Sequence, residues 1–514
     1  MIYFLGIDIG TTGAKAILMD VNGVVITTAT NQYPMFTPHP QWAEQNPDDW
    51  WTATCNSIKN IISQAKINVS DIKGIGLTGQ MHGLVTLNRD KKVLYPCIMW
   101  NDQRTFEECK EITDKIGFEN LLSITGNQVL PGFTAPKIVW LRKNKPEIYS
   151  RINKILLPKD YIRFQLTHEY FTDVSDASGT SLLNVKERKW SKEVLTKLEI
   201  PFDWLPEVVE SISQTGSLTK QAASLTGLNV GTPVFAGGGD QAAGAVGSGA
   251  VKEGIASIVL GTSGVVFTHS NSYKIESEGK LHAFCHSVTG KWHLMGVTLS
   301  AAGSFRWYRD NFAYKEKIES EGSNKDVYEI LTAQAKSVPA GSEGLIFLPY
   351  LTGERTPHPD PNAKGAFIGL NVRHTKAHFT RAVLEGVSYS LKDCYQLINN
   401  LGIKAENLII SGGGAKSELW RKIIADVFNA EINTLKCTEG APYGTAIIAV
   451  VGSGFYKDVN EACEKILKIE SRIEPDKQKV NLYKDFYSIY KNFYPQLKKS
   501  FDDISDKVNK YYGS

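Results

Sequence analysis

Two stretches of this chain place small hydroxyl residues and glycines in a turn between apolar strands: FLGIDIGTTGA at residues 4–14 and SIVLGTSGVVF at residues 257–267. Thr11, Thr12 and Gly13 in the first, and Gly261, Thr262 and Ser263 in the second, offer backbone N–H groups and short hydroxyls with little bulk. That suits phosphate oxygens. One such turn alone reads first as an ordinary glycine β-turn, but two suggest a polyphosphate held between them. Asp8 stands just before the first turn. A carboxylate there would repel phosphate unless a divalent cation lay between them. Lys15 would add positive charge or be a solvated surface charge, and the second turn carries Val259 and Val266 at the matching places.

GGGDQAAG (237–244) is a loose dinucleotide fingerprint after a strand. Asp240, however, falls where a pyrophosphate would sit, and the next strand ends in glycine where a ribose-binding acid belongs. Asp240 then reads either as a helix N-cap or as a general base at a cleft floor, taking the proton of a hydroxyl that attacks phosphorus. SGGGAKSELW (411–420) has the form strand, glycine turn, helix start, but Ala415 replaces the glycine of a Walker A loop. A polar set in the first half, GQMHG (79–83), MWNDQR (99–104) and SDASGT (175–180), could supply the directional donors and acceptors a polyol needs. There is no HExxH zinc motif and no GxSxG nucleophile elbow.

These residues need strands and helices to hold them. Strand 3–9, a turn, strand 14–19 and the Asn22-Gly23 hairpin signal predict an antiparallel meander. Residues 48–65 read as a helix with Ile58, Ile61 and Ile62 on one face, and 72–78 as a strand. The style repeats from residue 232: strand, helix from Asp240, strand–turn–strand, then strand 344–348, long helix 376–398, strand 407–411 and helix 416–429. This predicts an α/β class and a weak internal duplication, two related domains facing across a cleft. The divisions expected are 1–247, 248–485, and a helical tail 486–514 whose aromatic stripe serves packing.

The 514 residues, 42% hydrophobic and 22% charged, suit two or three globular domains. A net charge of +3 gives no case for nucleic acid or a membrane surface. Seven scattered cysteines without a CxxC pair argue against a disulfide framework or zinc cluster and fit a reducing cytoplasm. No signal peptide and no spanning apolar run are visible.

The chain resembles the FGGY family of carbohydrate kinases, within the actin-like, hexokinase-like and Hsp70-like ATPase superfamily. GFTAPKIVWLRKN (132–144) and GAFIGLNVRHTKAHFTRAVLE (365–385) look like its two signatures. GQMHG, WND with Arg104, LLPKDY (156–161), SDASGT, GGGD, HLM (293–295), LSAAGSFRW (299–307) and YLTGERTPH (350–358) are most similar to the branch that phosphorylates xylulose. The resemblance implies two actin-like/ribonuclease H-like domains flanking a central cleft, with sugar on the first and ATP on the second. It implies Asp240 as catalytic base; Met81, His82 and Gln241, with Asn101, Asp102 and Arg104, at the sugar; and Asp8 at Mg2+. Thr11, Thr12, Gly13 and Lys15, with Gly261, Thr262 and Ser263, would meet the phosphates. Gly412, Gly413, Gly414, Ser417 and Trp307 would meet the nucleoside. Gln241 departs from the Asn common in that branch. The expected reaction is ATP-dependent phosphorylation of D-xylulose to its 5-phosphate; ribulose, gluconate or a non-catalytic sugar-binding role are the alternatives. A homodimer is left open.

Overall fold

The computed structural model describes residues 1–512. Its first sheet grows from β1 (Tyr3–Ile9), an almost wholly buried apolar strand that belongs in the middle of a sheet. Antiparallel β2 (Gly13–Asp20) and β3 (Val25–Gln32) follow as the predicted meander, and β3 alternates exposed and covered residues as an outer strand does. Helix Pro47–Ala65, capped by Asn46, buries Trp50, Ile58 and Ile61 and returns the chain to β4 (Ile72–Gly79), parallel to β1. β5 (Gln214–Ser217) and β6 (Pro233–Phe235) complete the order β5-β6-β4-β1-β2-β3.

The second sheet repeats the plan. Its strands are β7 (Gly254–Leu260), β8 (Gly264–Ser270), β9 (His282–Cys285), β10 (Trp292–Thr298), β11 (Ala405–Ser411), β12 (Glu431–Leu435) and β13 (Ile469–Ile473). The order is β9-β10-β8-β7-β11-β12-β13. In both sheets an antiparallel set (β1-β2-β3 in the first, β7-β8-β10-β9 in the second) receives two parallel strands on its first-strand side, and one antiparallel strand closes that edge. The weak duplication in the sequence is thus a duplication of topology. The hairpins are not superimposable, however. Ile9 pairs with Ala14, but Leu260 pairs with Gly264, so the second turn is one residue tighter. Asp8 faces Lys15 across its ladder, whereas Val259 faces Val265, not Val266.

The two halves meet through a helix pair. Helix Asp240–Ser248 lies against helix Ala441–Gly452, which comes from the second half of the sequence yet packs on β1 and β4 of the first sheet. A Cβ on Gly444 would lie 1.8 Å from the Ala243 carbonyl oxygen, so this approach of backbones requires glycine. Tyr443 donates to the Gly23 carbonyl at 2.8 Å and Thr445 to the Leu77 carbonyl at 3.0 Å. Phe4, Ile17 and Phe235 share one apolar cluster with Ile447 and Val450. Burial of such side chains contributes about 1.5–3 kcal/mol each.

The last helix, Lys477–Tyr512, starts before the tail boundary expected from sequence and runs through Pro495; residues 513–514 lie outside the described residues. Its aromatic stripe packs inward. Tyr483 and Tyr490 are fully buried, Tyr490 shares a 3.0 Å hydrogen bond with Tyr350, and Tyr494 donates to Asp360 and stacks on His358. The second signature anchors this helix: Arg381 pairs with Glu385 at 2.8 Å, and both bond the Tyr483 hydroxyl. Among the described residues no helix is long and apolar enough to cross a membrane.

Candidate active site in the cleft

The chain enters the site through a bend that only glycine permits. Gly237 has φ +71°, and a Cβ there would lie 1.6 Å from the Leu77 carbonyl oxygen. Gly238 and Gly239 then run parallel to Thr78 and Gly79 at the end of β4. Gly239 is the N-cap of helix Asp240–Ser248, so Asp240 is the first helical residue and not the cap itself. A carboxylate there is favoured by the helix dipole. Burial outweighs that and pushes Asp240 up to about 6, with hydrogen bonding from the Gln241 backbone and side chain pulling the other way.

Asp8, at the end of β1, is pushed up to about 7 by burial and then by the negative charge of Asp240, with Lys15 opposing. Its Oδ1 is buried without a hydrogen-bond partner. A buried carboxylate that faces another carboxylate, with an orphaned oxygen, suits a divalent cation. Mg2+ typically takes one or two carboxylates and completes its shell with water and substrate phosphates. No group of three or more potential ligand side chains occurs among the described residues, and that coordination habit requires none. Lys15 is committed elsewhere in part: it forms an ion pair with Glu439, which ties the first hairpin to the loop before helix Ala441–Gly452.

A cavity of about 390 Å³ joins the halves here, and Asp8, Asp240, Gln241, Gly261, Ser263 and Gly412 all border it. A neighbouring cavity of about 640 Å³ is lined by Thr262, Gly413, Gly414 and Ser417, together with Arg306 and Tyr328. Gly261 borders both. The second hairpin and the 411–420 segment therefore line the same cavities. Trp307 does not join them: one residue beyond Arg306 on its helix, it stacks on Phe347 and meets Phe312 edge-on. In the first hairpin, Gly10 N–H donates to the Gly13 carbonyl at 3.1 Å, closing the turn. The Thr11 hydroxyl accepts from the Trp100 indole at 3.0 Å, and Thr12 is exposed.

Met81 and His82 follow β4 directly. Met81 is buried against Gly239 and Gly179. His82 has φ +71°, an uncommon conformation for a bulky residue, and its surroundings hold it there. Its carbonyl accepts from Thr134 Oγ1 at 3.0 Å and Lys137 Nζ at 2.9 Å, its Nδ1 lies 2.6 Å from the Gly179 carbonyl, and its ring stacks on Phe133. Burial drives the imidazole down to about 3, so it is neutral and offers hydrogen bonding without charge. Asn101 has its Oδ1 unpaired and borders a separate surface cavity with residues 37–43, away from the one that Asp8 and Asp240 share. Asp102 and Arg104 behave differently from the sequence expectation. Asp102 is fully buried and gives Arg104 a bidentate pair, while it also accepts from the Ala43 N–H at 2.6 Å. Arg104 further bonds Glu44 and lies 3.6 Å over the Trp42 ring. Their polar groups are spent on each other, on Glu44 and on the Ala43 N–H, and both side chains are buried.

Sequence reasoning missed three features. Lys137, inside the first signature, is fully buried and binds two carbonyls, of His82 and Gly132; burial drives its amine down to about 7. Arg355, inside YLTGERTPH, has no carboxylate at ion-pair distance among the described residues, and its charge bears on both His82 and His282. Below Asp240 lies a wholly buried charge cluster in which Lys159 meets Asp160, Asp173 and Asp176 at 2.6, 2.9 and 3.5 Å, and Arg163 meets Asp160 at 3.0 Å. LLPKDY carries Lys159 and Asp160 and SDASGT carries Asp176, with Arg163 and Asp173 just outside them; a single sequence does not reveal that the two segments meet in one ion cluster.

Two family models cover the chain. The N-terminal domain of the FGGY family of carbohydrate kinases matches residues 3–247, and the C-terminal domain of that family matches 256–453. A xylulose kinase of Bacillus subtilis (strain 168) is 38% identical over 95% of this chain and 96% of its own length. A xylulose kinase of Lactococcus lactis subsp. lactis (strain IL1403) is 39% identical over 99% of each. A solved structure described as a xyloylose kinase from Brucella ovis superposes with TM-score 0.89 at 37% identity, covering 97% of this chain and 99% of that one.

Proposed function

The chain belongs to the FGGY family of carbohydrate kinases, and from that premise we propose that it transfers the γ-phosphoryl group of ATP to D-xylulose, giving D-xylulose 5-phosphate and ADP. The observation that carries the mechanism is the meeting of Asp8 and Asp240 in the cavity that the second hairpin also borders. The sugar lies against Met81, His82 and Gln241. The nucleoside occupies the larger cavity beside Gly413, Gly414 and Ser417, and the polyphosphate runs along Gly261 toward the first hairpin.

Asp240 takes the proton of the terminal sugar hydroxyl. The freed oxygen attacks the γ-phosphorus in line, and the bond to the ADP oxygen breaks, leaving ADP and a phosphate ester. A carboxyl raised to about 6 is mostly ionised at neutral pH and is a better proton acceptor than an ordinary aspartate. Asp8 would hold Mg2+, which when bound neutralises charge on the phosphates. The neutral His82 and buried Met81 orient the sugar without drawing phosphate toward themselves. Helix Asp240–Ser248 connects the halves, so their closure brings base and nucleotide together and excludes water.

Asp240→Asn tests this directly. The variant should bind xylulose with near-native affinity and lose about 100- to 10,000-fold in turnover. Turnover close to wild type would remove Asp240 from the role of base.

A further inference from the structure

The backbone that carries Asp240 is tied to the buried charge cluster through one hydroxyl. Ser175 Oγ accepts the Gly239 N–H at 3.1 Å, immediately before Asp240. The same hydroxyl donates to Asp173 Oδ2 at 2.5 Å, and the Ser175 N–H reaches that oxygen at 2.8 Å. Ser211 Oγ adds a third donor to it at 3.1 Å. Asp173 is in turn ion-paired to Lys159. Ser175 and Asp173 are both fully buried. Ser175 Oγ also lies 3.3 Å from Ser287 Oγ, a residue of the second half. The hydroxyl therefore stands between the ion cluster, the N-cap of the Asp240 helix and the opposite domain.

We propose that Ser175, oriented by Asp173, is a positioning residue for Asp240: it fixes the Gly239 amide and with it the direction in which the Asp240 carboxylate enters the cleft. A hydroxyl has one proton, and here the Asp173 carboxylate takes it. That leaves the oxygen lone pairs aimed at Gly239, so the accepting role is imposed and not chosen among rotamers. Asp173 Oδ1 meets the Lys159 ammonium at 2.9 Å, which fixes the carboxylate with Oδ2 turned toward Ser175. The bend at 237–239 has no other side-chain partner for the Gly239 N–H among the described residues. Loss of this hydroxyl frees the turn that aims the base, and a displacement of about 1 Å at a reacting group costs on the order of 100-fold in rate. Neither Ser175 nor Asp173 touches the reacting atoms in this arrangement.

The inference rests on the reading of Asp240 as the base, and its test separates the two. In Ser175→Ala, kcat should fall about 10- to 100-fold while KM for xylulose and for ATP stays within about twofold. Ser175→Thr, which keeps the hydroxyl, should recover most of the loss. In the Asp240→Asn background, Ser175→Ala should lower the residual rate no further, because the residue acts through Asp240. Wild-type turnover in Asp240→Asn would overturn the base reading whatever Ser175 does. A silent Asp240→Asn with full kcat in Ser175→Ala, or an equal loss in both backgrounds, would overturn the positioning inference alone. Should Ser175→Ala not fold, Ser175→Cys, a weaker acceptor of similar shape, takes its place: a several-fold lower kcat at unchanged KM supports the proposal, and an unchanged kcat overturns it.

Discussion

Replacing Asp240 by Asn should make the protein more stable as well as inactive, and the stability gain should depend on pH in a defined way. Burial raises Asp240 from an ordinary 3.8 to about 6. The fold thus opposes ionisation of this carboxyl by about two pKa units, or ~3 kcal/mol at 1.36 kcal/mol per unit. The sign follows from linkage. The folded protein holds the proton more tightly than the unfolded chain, so the penalty is absent well below pH 3.8, grows as pH rises, and is complete above pH 6. An asparagine of the same shape carries no such penalty. The favourable pull of the helix N-terminus on the carboxylate is already contained in that net rise to about 6. The net gain should be about 2–3 kcal/mol at pH 8 and shrink to roughly half that at pH 5. Urea unfolding of the ligand-free wild type and variant at the two pH values reads both numbers. A variant less stable than wild type at pH 8, or a gain equal at both pH values, would refute the claim that the cleft holds this carboxylate against its own electrostatics.

Asp8→Ala should raise the magnesium concentration needed for half-maximal activity at least tenfold, because the proposed cation site rests on the orphaned Asp8 oxygen; an unchanged magnesium titration would contradict this. Val259→Asp adds a third carboxylate to the wall of the cavity that Asp8 and Asp240 border, and should weaken ATP binding by calorimetry with little change for xylulose. Equal ATP affinity would put the second hairpin away from the phosphates. Gly444→Ala would drive a methyl to 1.8 Å from the Ala243 carbonyl oxygen and should cost about 3 kcal/mol or more in thermal or urea unfolding; a wild-type midpoint would mean that the helix pair is loose.

Much of this arrangement is legible in the sequence because the information is local. The two Gly-Thr turns announce themselves by composition, β1 by its continuous apolar run, and the long helix at residues 376–400 by its periodicity. Duplication is readable for the same reason, since each half opens its sheet with an antiparallel hairpin around a Gly-Thr turn. What the sequence hides is pairing at a distance. Asp102 and Arg104 look like free polar groups until Glu44, Ala43 and Trp42 are seen to consume them. Lys15 looks unpaired until Glu439 arrives from the far end of the chain. Trp307 and Arg306 are neighbours in sequence, yet a helix turns them about 100° apart, and only Arg306 borders the larger cavity. The one-residue difference between the hairpins also escapes alignment by eye, because both turns read as the same motif and only the ladder register exposes it. The second signature contributes an ion pair and a tail anchor instead of a ligand contact, and its tyrosine partner lies about 100 residues away.

The most direct test of the whole account is a product assay. Purified protein with ATP and magnesium is offered D-xylulose, ribulose and gluconate in parallel, and both ADP release and the site of phosphorylation are followed. The account predicts the highest kcat/KM with D-xylulose, phosphate on its terminal oxygen, and loss of the signal in Asp240→Asn. A higher kcat/KM with either of the other substrates, or xylulose binding without any phosphoryl transfer, would contradict it.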